Sequence, residues 1–249
     1  MFQGFYNLTS GMLTQTRKLN VISNNMANVT TPGFKSDTFT QRSFQDELMY
    51  RTGNLYKNDP QPIGTMNWKV VADGNVTNYS GGGFSTTVSP LDTCIIGDGF
   101  FQVKTADGMV YTRDGSFSLD DEGYLYLPSL GRVQGESGDI KISSDSVSID
   151  PDGSIVDTDQ GTIVGKLKLV DFADYAAQLT KAPGNAFTAT GQTRQAQASV
   201  RQNALEDSNV DAISEMTDMM TSQRALQSAA QVLSMYDKLA AKIVEIGPA

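Results

Sequence analysis

The 249-residue chain is long enough to form one or two domains with buried cores. Its net charge of −9 and its pI near 4.5 argue against a nucleic-acid partner, because phosphate binding needs clustered Lys and Arg. It has no His, the commonest general base and metal ligand, and its single Cys excludes an intrachain disulfide. We therefore expect no cofactor, no metal site and no nucleic-acid partner.

No stretch of the sequence approaches the roughly 20 consecutive apolar residues that a membrane-spanning helix needs. The first residues also lack a basic segment followed by an apolar run, which is the pattern of a cleavable signal peptide. We therefore expect neither membrane insertion nor a cleaved signal.

The first predicted element is a helix within residues 1–35. Its apolar residues alternate at spacings of three and four if Gln15 is accepted as a polar member. This spacing is typical of a heptad seam, which is narrower than the apolar stripe of a helix on a globular core. The predicted N-terminal seam comprises Phe5, Leu8, Met12, Leu19, Ile22, Met26 and Val29.

The stretch SNNMANVTTPGFK, residues 23–35, predicts an abrupt end to this helix. Asn tolerates the left-handed conformation that ends helices, Pro cannot continue a helix, and Gly permits a sharp exit. We interpret the stretch as a helix-exit motif that redirects the chain towards a separate body, with its Phe packing back as an anchor. The motif comprises Asn24, Asn25, Asn28, Thr31, Pro32, Gly33, Phe34 and Lys35.

Residues 36–79 are predicted to form an extended linker region. Within it, FQDELMY (44–50) is compatible with a short helix, whereas GNLYKNDPQPIG (53–64) is loop-like because of its Gly, Pro and Asn content. Trp68 is expected to anchor a connecting strand by packing.

Residues 80–200 are predicted to form an antiparallel β domain. Turn signals such as GDG, ADG and RDG recur between short alternating or aromatic runs, and Asp-Gly between such runs is a strong hairpin signal. Cys94 is expected to be a small buried core residue rather than a reactive thiol. The further core candidates are Phe100, Val103, Val110, Tyr111, Phe117 and Leu119.

The Asp-rich stretch DPDGSIVDTDQG, residues 150–161, invites comparison with a calcium-binding loop. It fails the EF-hand pattern, because Gly161 stands at the twelfth position where a bidentate Glu is needed. We interpret it as a turn.

Residues 201–249 are predicted to contain a second long helix. Ser208, with Asp211 three residues later, fits a capping box, and Gly247-Pro248 is expected to end the helix. The predicted C-terminal seam comprises Met216, Met219, Leu226, Ala230, Leu233, Ala240 and Val244.

The two ends of the chain carry opposite charge. Residues 1–35 contain three bases and no acid, whereas residues 204–249 contain seven acids and three bases. This match favours association of the two ends, within one molecule or between neighbours, although exposed ion pairs add little stability.

The expected fold class is therefore α+β. Long N- and C-terminal helices would pair as a coiled-coil-like layer, and a central antiparallel β domain would accompany them. Because isolated helices of this length are marginal in water, we expect protease-sensitive ends around a resistant core near residues 80–200.

Three stretches resemble the bacterial flagellar rod and hook proteins, a family of axial subunits. SNNMANVTTPGFK is similar to the family's N-terminal signature S-x-N-x-A-N-x-x-T-x-G-[FY]-K, and LDTCIIGDGFFQV with VYTRDGSFSLDDEGYL is similar to the start of its β domain. NALEDSNVDAISEMTDMMTSQRALQSAAQVLSMYDKL resembles its C-terminal helix. The segment 45–93 departs from the family's patterns.

The resemblance implies a structural, non-enzymatic subunit of the flagellar basal-body rod that self-assembles through its terminal helices into a tubular drive shaft. Its implied partners are copies of itself, other rod or hook subunits and the flagellar type III export apparatus. Its implied location is the extracytoplasmic basal body, reached without a cleaved signal peptide.

Three alternatives remain at this point. One is a short hook-type protein of the same family, although typical hook proteins are longer. Another is a secreted β-rich binding or adhesion module with coiled-coil ends, which would need a signal for general secretion. An enzyme that uses Asp120 and Glu122 as a carboxylate pair is the third, but these acids lie in a predicted turn where solvated acids are usual.

Overall fold

A computed structural model describes residues 2–43, 47–51, 61–66, 70–106, 108–142, 146–158 and 160–246. The chain divides into two compact units. The terminal unit comprises Met1–Met26, Asp37–Val76 and Ala212–Ala249, and the β unit comprises Ala27–Ser36 and Thr77–Asp211. The predicted roles of Trp68, Gly247 and Pro248, and the side chain of Val244, lie outside the described residues.

The helices of the described residues are α1 (Phe2–Ala27), α2 (Tyr175–Gln178) and α3 (Ala212–Ile246). The strands that precede the β unit's sheets are β1 (Asp37–Ser43), β2 (Glu47–Arg51), β3 (Gln61–Met66) and β4 (Val70–Thr77). The strands of the β unit are β5 (Phe84–Thr86), β6 (Thr93–Ile96), β7 (Phe100–Thr105), β8 (Gly108–Thr112), β9 (Ser118–Leu119), β10 (Leu125–Leu127), β11 (Gly131–Gly135), β12 (Gly138–Asp139), β13 (Val147–Ile149), β14 (Ser154–Asp157), β15 (Thr162–Lys166), β16 (Leu169–Asp171), β17 (Leu179–Ala182), β18 (Ala186–Ala189), β19 (Arg194–Gln195), β20 (Ser199–Gln202) and β21 (Ala204–Glu206).

The predicted α+β class with a coiled-coil-like helical layer was wrong. Strands make up 39% of the chain, and no coiled-coil pairing of the terminal helices is shown. The described contacts between α1 and α3 include a 3.4 Å ion pair between Lys18 and Asp218, and α3 exposes 53% of Met216. A heptad spacing identifies an apolar helix face, but it does not determine which surface covers that face.

Part of this error lies in residues 37–77, where strands β1–β4 form within the region predicted to be an extended linker. β1 pairs with β4, and β2 pairs with β3 in antiparallel register. The suggested short helix at residues 44–50 was wrong where it is described, because Glu47–Arg51 is a strand. Local propensity here is weak, and pairing across the sheet decides the conformation instead.

The antiparallel sheet predicted for the β unit was confirmed. Its main path runs β17-β18-β8-β7-β11-β10-β9, and β16 also pairs with β7. The turn interpretation of 150–161 is also confirmed over its first residues, where Gly153 N–H donates to Asp150 C=O in the β13–β14 hairpin.

Two apolar clusters cover opposite faces of β7. Phe101 belongs to the larger cluster, while its neighbour Phe100 belongs to an aromatic cluster with Tyr111 and Phe187. Successive side chains of a strand point to opposite faces, which explains this division. The burial predicted for Phe100, Val103, Val110, Tyr111, Phe117 and Cys94 was confirmed, and Leu119 is partly buried.

Candidate functional site: the terminal clasp

The residues that follow α1 lie beside those that precede α3, and both segments belong to the β unit. Gly33 N–H donates to Glu206 C=O at 2.7 Å, and Asn209 N–H donates to Phe34 C=O at 3.3 Å. Ser36 N–H donates to Asn209 Oδ1 at 2.7 Å. Because the contacts advance together along both segments, the two segments run in the same direction. We name this site the terminal clasp, comprising residues 33–36, 78–83, 206–209 and Arg113.

A buried ionic cluster forms the centre of the terminal clasp. The side chains of Lys35 and Glu206 are fully buried, and that of Arg113 is 5% exposed. The Lys35 ammonium contacts Glu206 Oε1, while Arg113 Nη1 donates to Glu206 Oε2 at 3.2 Å. Gly82 N–H also donates to Oε1, at 3.1 Å. One carboxylate therefore neutralises part of the charge of two cations.

Each cation has a second, backbone acceptor. Lys35 Nζ donates to Ser80 C=O at 2.8 Å, and Arg113 Nη2 donates to Gly97 C=O at 2.9 Å. Burial lowers the pKa of Lys35, and the hydrogen bond and charge of Glu206 act in the opposite direction. Lys35 and Arg113 therefore both depend on Glu206, because an uncompensated buried charge costs several kcal/mol.

The helix-exit motif reaches the clasp through a close backbone approach. Gly33 has φ +67°, and a Cβ there would lie 2.5 Å from the carbonyl carbon of Arg113. Phe34 is 3% exposed, as expected of an anchor, with the Lys181 ammonium 4.1 Å from its ring centroid. Lys181 Nζ also donates to Lys35 C=O at 2.7 Å. The end of the motif is thus inserted into the β unit.

Earlier residues of the motif make more local contacts. Thr31 Oγ1 donates to Asn28 Oδ1 at 3.2 Å, and Asn185 Nδ2 donates to Pro32 C=O at 2.7 Å. Asn24 is exposed, directly before the buried Asn25. These residues close the helix and turn the chain within a few positions.

Two asparagine side chains join backbone segments that are distant in sequence. In the β unit, Asn209 Nδ2 donates to the carbonyl oxygens of Asn78 at 2.8 Å and Ser80 at 3.1 Å. In the terminal unit, Asn25 Nδ2 donates to Asp37 C=O and to Glu215 Oε1, while Asn25 Oδ1 accepts from Asp37 N–H at 3.0 Å. An amide side chain suits this role because it both donates and accepts.

The exposure of the predicted seam residues varies along α1, just after it and along α3. Ile22 is buried, Phe5 is exposed, and Leu8, Met12, Leu19, Met26 and Val29 are half-buried. On α3, Met219, Leu226 and Leu233 are half-buried, whereas Met216, Ala230 and Ala240 are exposed. Their role in contacts with other subunits stays a prediction.

The predicted cap lies at the start of α3. Asp211 directly precedes the first helical residue, Ala212, and the Ser208 hydroxyl accepts from Val210 N–H at 3.3 Å. Sequence reasoning missed Glu206 and Asn209, although the match LEDSNVD spans both. The available signal was a Lys directly after a buried aromatic anchor, since a buried Lys needs a carboxylate partner.

The carboxylates considered for catalysis lie elsewhere. Asp120 and Glu122 pair with Arg132 at 3.2 Å and 2.7 Å, with partly or largely exposed side chains. Within the described ranges, no group of three or more potential ligands could hold a metal ion. None of the helices in the described part of the chain combines the length and apolar character needed to span a membrane.

Large apolar side chains exposed along one helix, as on α3, are typical of a surface that another protein covers, and hence of a subunit of a larger assembly. Three family models match the chain in order. They are the flagella basal body rod protein model at residues 5–35, the flagellar hook protein FlgE/F/G D1 domain at 94–157, and the flagellar basal body rod FlgEFG protein C-terminal model at 201–246.

Full-length relatives agree with these matches. The chain is 33% identical to the flagellar basal-body rod protein FlgG of Bacillus subtilis, over 99% of both chains. It is 32% identical to the flagellar basal-body rod protein FlgF of Caulobacter vibrioides, over 98% of both chains. The chain belongs to the flagellar basal-body rod protein family. It is a structural rod subunit of the flagellar basal body, in a family not known for enzymatic activity.

Proposed function

We propose that the chain assembles with copies of itself and with other rod or hook subunits through the apolar faces of its terminal helices. The observation that supports this is the exposure of apolar side chains of the predicted seam on α3: Met216 is 53% exposed, and Ala230 and Ala240 are also exposed. Apolar residues repeated along one helix favour a protein partner over water. The assembled product would be a tubular drive shaft for motility.

Two methionines of α3 allow a matched test of the predicted seam. Met216 belongs to the seam and is 53% exposed, whereas Met220 lies outside it and is 50% exposed. Met216→Asp should abolish incorporation into basal bodies and motility, because a carboxylate would be buried against the neighbouring subunit. Met220→Asp introduces the same charge at similar exposure and should be incorporated. Circular dichroism of both purified variants checks that the chain still folds.

The outcome distinguishes the seam from helix packing in general. Normal incorporation of Met216→Asp would refute the seam as the contact surface. Loss of incorporation by both variants, with folding intact, would show instead that a broader face of α3 is used. Leu19→Asp and Ile22→Asp test the N-terminal seam, but their partial or complete burial makes folding controls essential.

We also propose that the chain reaches the extracytoplasmic basal body through the flagellar type III export apparatus, without a cleaved signal peptide. Its family membership and the rod names of its full-length relatives support this route. In a strain that lacks the flagellar export apparatus, the chain should remain in the cytoplasm. Retention only when general secretion is blocked would contradict the proposal.

A further inference from the structure

We propose that the terminal clasp carries mechanical force and thereby holds the β unit closed. A pull applied between the α1 side and the α3 side of the β unit would be carried by the clasp, and the sheets would be loaded only after it breaks. The biological meaning of this inference rests on the proposed function as a drive shaft. Its mechanical content concerns the single chain alone.

The direction of the two clasp segments provides the first argument. Residues 33–36 and 206–209 run in the same direction, joined by the bonds from Gly33 to Glu206 and from Asn209 to Phe34. A pull through α1 acts on the first segment at its N-terminal end, and a pull through α3 acts on the second at its C-terminal end. The segments must then slide past each other. In such shear, several bonds carry the load together, whereas in peeling they break one after another.

The ionic centre provides the second argument, because it crosses the same line of shear. Lys35 lies on one segment and Glu206 on the other, and both side chains are 0% exposed. Sliding would separate this pair and the Arg113–Glu206 contact without water to replace them. Charge-assisted hydrogen bonds are stronger than neutral ones, and leaving a buried charge unpaired is costly. The exposed pairs of the β unit lack this protection.

The position of the clasp in the sequence provides the third argument. Lys35 and Glu206 are 171 positions apart, so their contact closes nearly the whole intervening chain into one loop. While the clasp holds, tension between the ends does not pass through that loop. Once it opens, complete extension of the loop would add roughly 560–620 Å of chain. The clasp therefore decides when the sheet strands begin to bear load.

Force spectroscopy of the purified full chain tests the inference directly. DNA handles would be joined enzymatically to peptide tags at both termini, which leaves the buried Cys94 untouched. In the wild type, we expect one rupture of the β unit to precede any extension that its strands contribute. At a fixed force, Lys35→Met should raise the rupture rate at least tenfold.

Two further variants separate mechanical resistance from overall stability. A triple variant, Lys35→Met with Glu206→Leu and Arg113→Met, removes all three buried charges and should restore much of the equilibrium stability. It should still rupture at least tenfold faster than the wild type at the same force. Lys166→Met is the control. It removes a cation outside the clasp that pairs with Glu136 at 3.8 Å and with Asp152 at 3.9 Å, and it should leave the rupture rate unchanged.

Particular results would overturn the inference. These are a triple variant that ruptures at the wild-type rate, or extension from the strands that precedes rupture of the clasp. Neither depends on rod assembly, so failure of the mechanical inference is distinguishable from failure of the proposed function, which the incorporation of Met216→Asp tests separately. If Lys35→Met does not fold, the triple variant alone still decides the matter.

Discussion

Gly33 of the helix-exit motif should tolerate even a methyl side chain poorly. It has φ +67°, where an L-residue pays roughly 1–2 kcal/mol, and its Cβ would lie 2.5 Å from the carbonyl carbon and 2.6 Å from the carbonyl oxygen of Arg113. Relief of that contact must move backbone next to the buried pair of Arg113 and Glu206. Overpacking of this kind typically costs about 1–3 kcal/mol. We therefore expect Gly33→Ala to lower the free energy of unfolding by about 2–5 kcal/mol.

Gly161 provides a matched control for this prediction. It has φ +64°, but no atom of the described residues lies within 4 Å of the position that a Cβ would occupy there. Gly161→Ala should therefore pay only the conformational cost of about 1–2 kcal/mol. Urea unfolding of both purified variants, followed by circular dichroism, measures the difference, which isolates the steric contribution of the clasp. Equal losses of stability for the two variants would refute the argument that the close approach to Arg113 fixes this residue.

Three other predictions concern stability and order. Glu206→Leu should destabilise the chain more than Lys35→Met, each by about 3–5 kcal/mol, because Glu206 serves two cations. Additive effects when Lys35→Met and Glu206→Leu are combined would refute the coupling of the two side chains. Burial raises the pKa of Asp171, but its hydrogen bonds, including one from Arg194, lower the pKa below the usual value overall. The wild type should therefore be more stable than Asp171→Asn at neutral pH, and this difference should disappear as the pH falls below about 4. Melting temperatures of both proteins measured across this pH range test the prediction, and a difference that does not change with pH would contradict it. Limited proteolysis of the dilute monomer should trim the ends and leave a core that contains residues 80–200 and the clasp, and fully protected termini would count against this.

The sequence predicted those parts of the fold that local chemistry determines. Asp-Gly turns between aromatic runs located the hairpins of the β unit, and alternation located core residues such as Phe100 and Val103. Asn and Pro located the end of α1, which lies at Ala27. In each case, a few adjacent residues restrict the backbone strongly enough to be recognised without knowledge of their partners.

Features that depend on distant pairing could not be predicted in this way. β1, with the sequence DTFTQRS, becomes a strand because β4 pairs with it more than thirty positions later. The prediction that the terminal helices pair as a coiled coil was wrong for the same reason, since the periodicity of α3 does not specify which surface packs against it. Arg113 was visible only as part of a turn signal, and its contact with Glu206 spans 93 positions.

The charge asymmetry of the chain ends shows how far sequence reasoning extends to the site. Opposite charges on residues 1–35 and 204–249 predicted an attraction, and the ion pairs Lys18–Asp218 and Lys35–Glu206 join the described parts of these ranges. Their environments differ greatly: Lys18 and Asp218 are 34% and 57% exposed, whereas Lys35 and Glu206 are fully buried. The exposed pair contributes at most about 1 kcal/mol and is screened by salt, but the buried pair cannot lose one partner without leaving a desolvated charge. The strength of the Lys35–Glu206 contact therefore comes from its burial in the folded β unit, which the charges in the sequence do not reveal. Charge alone predicts only a weak attraction between the two ends.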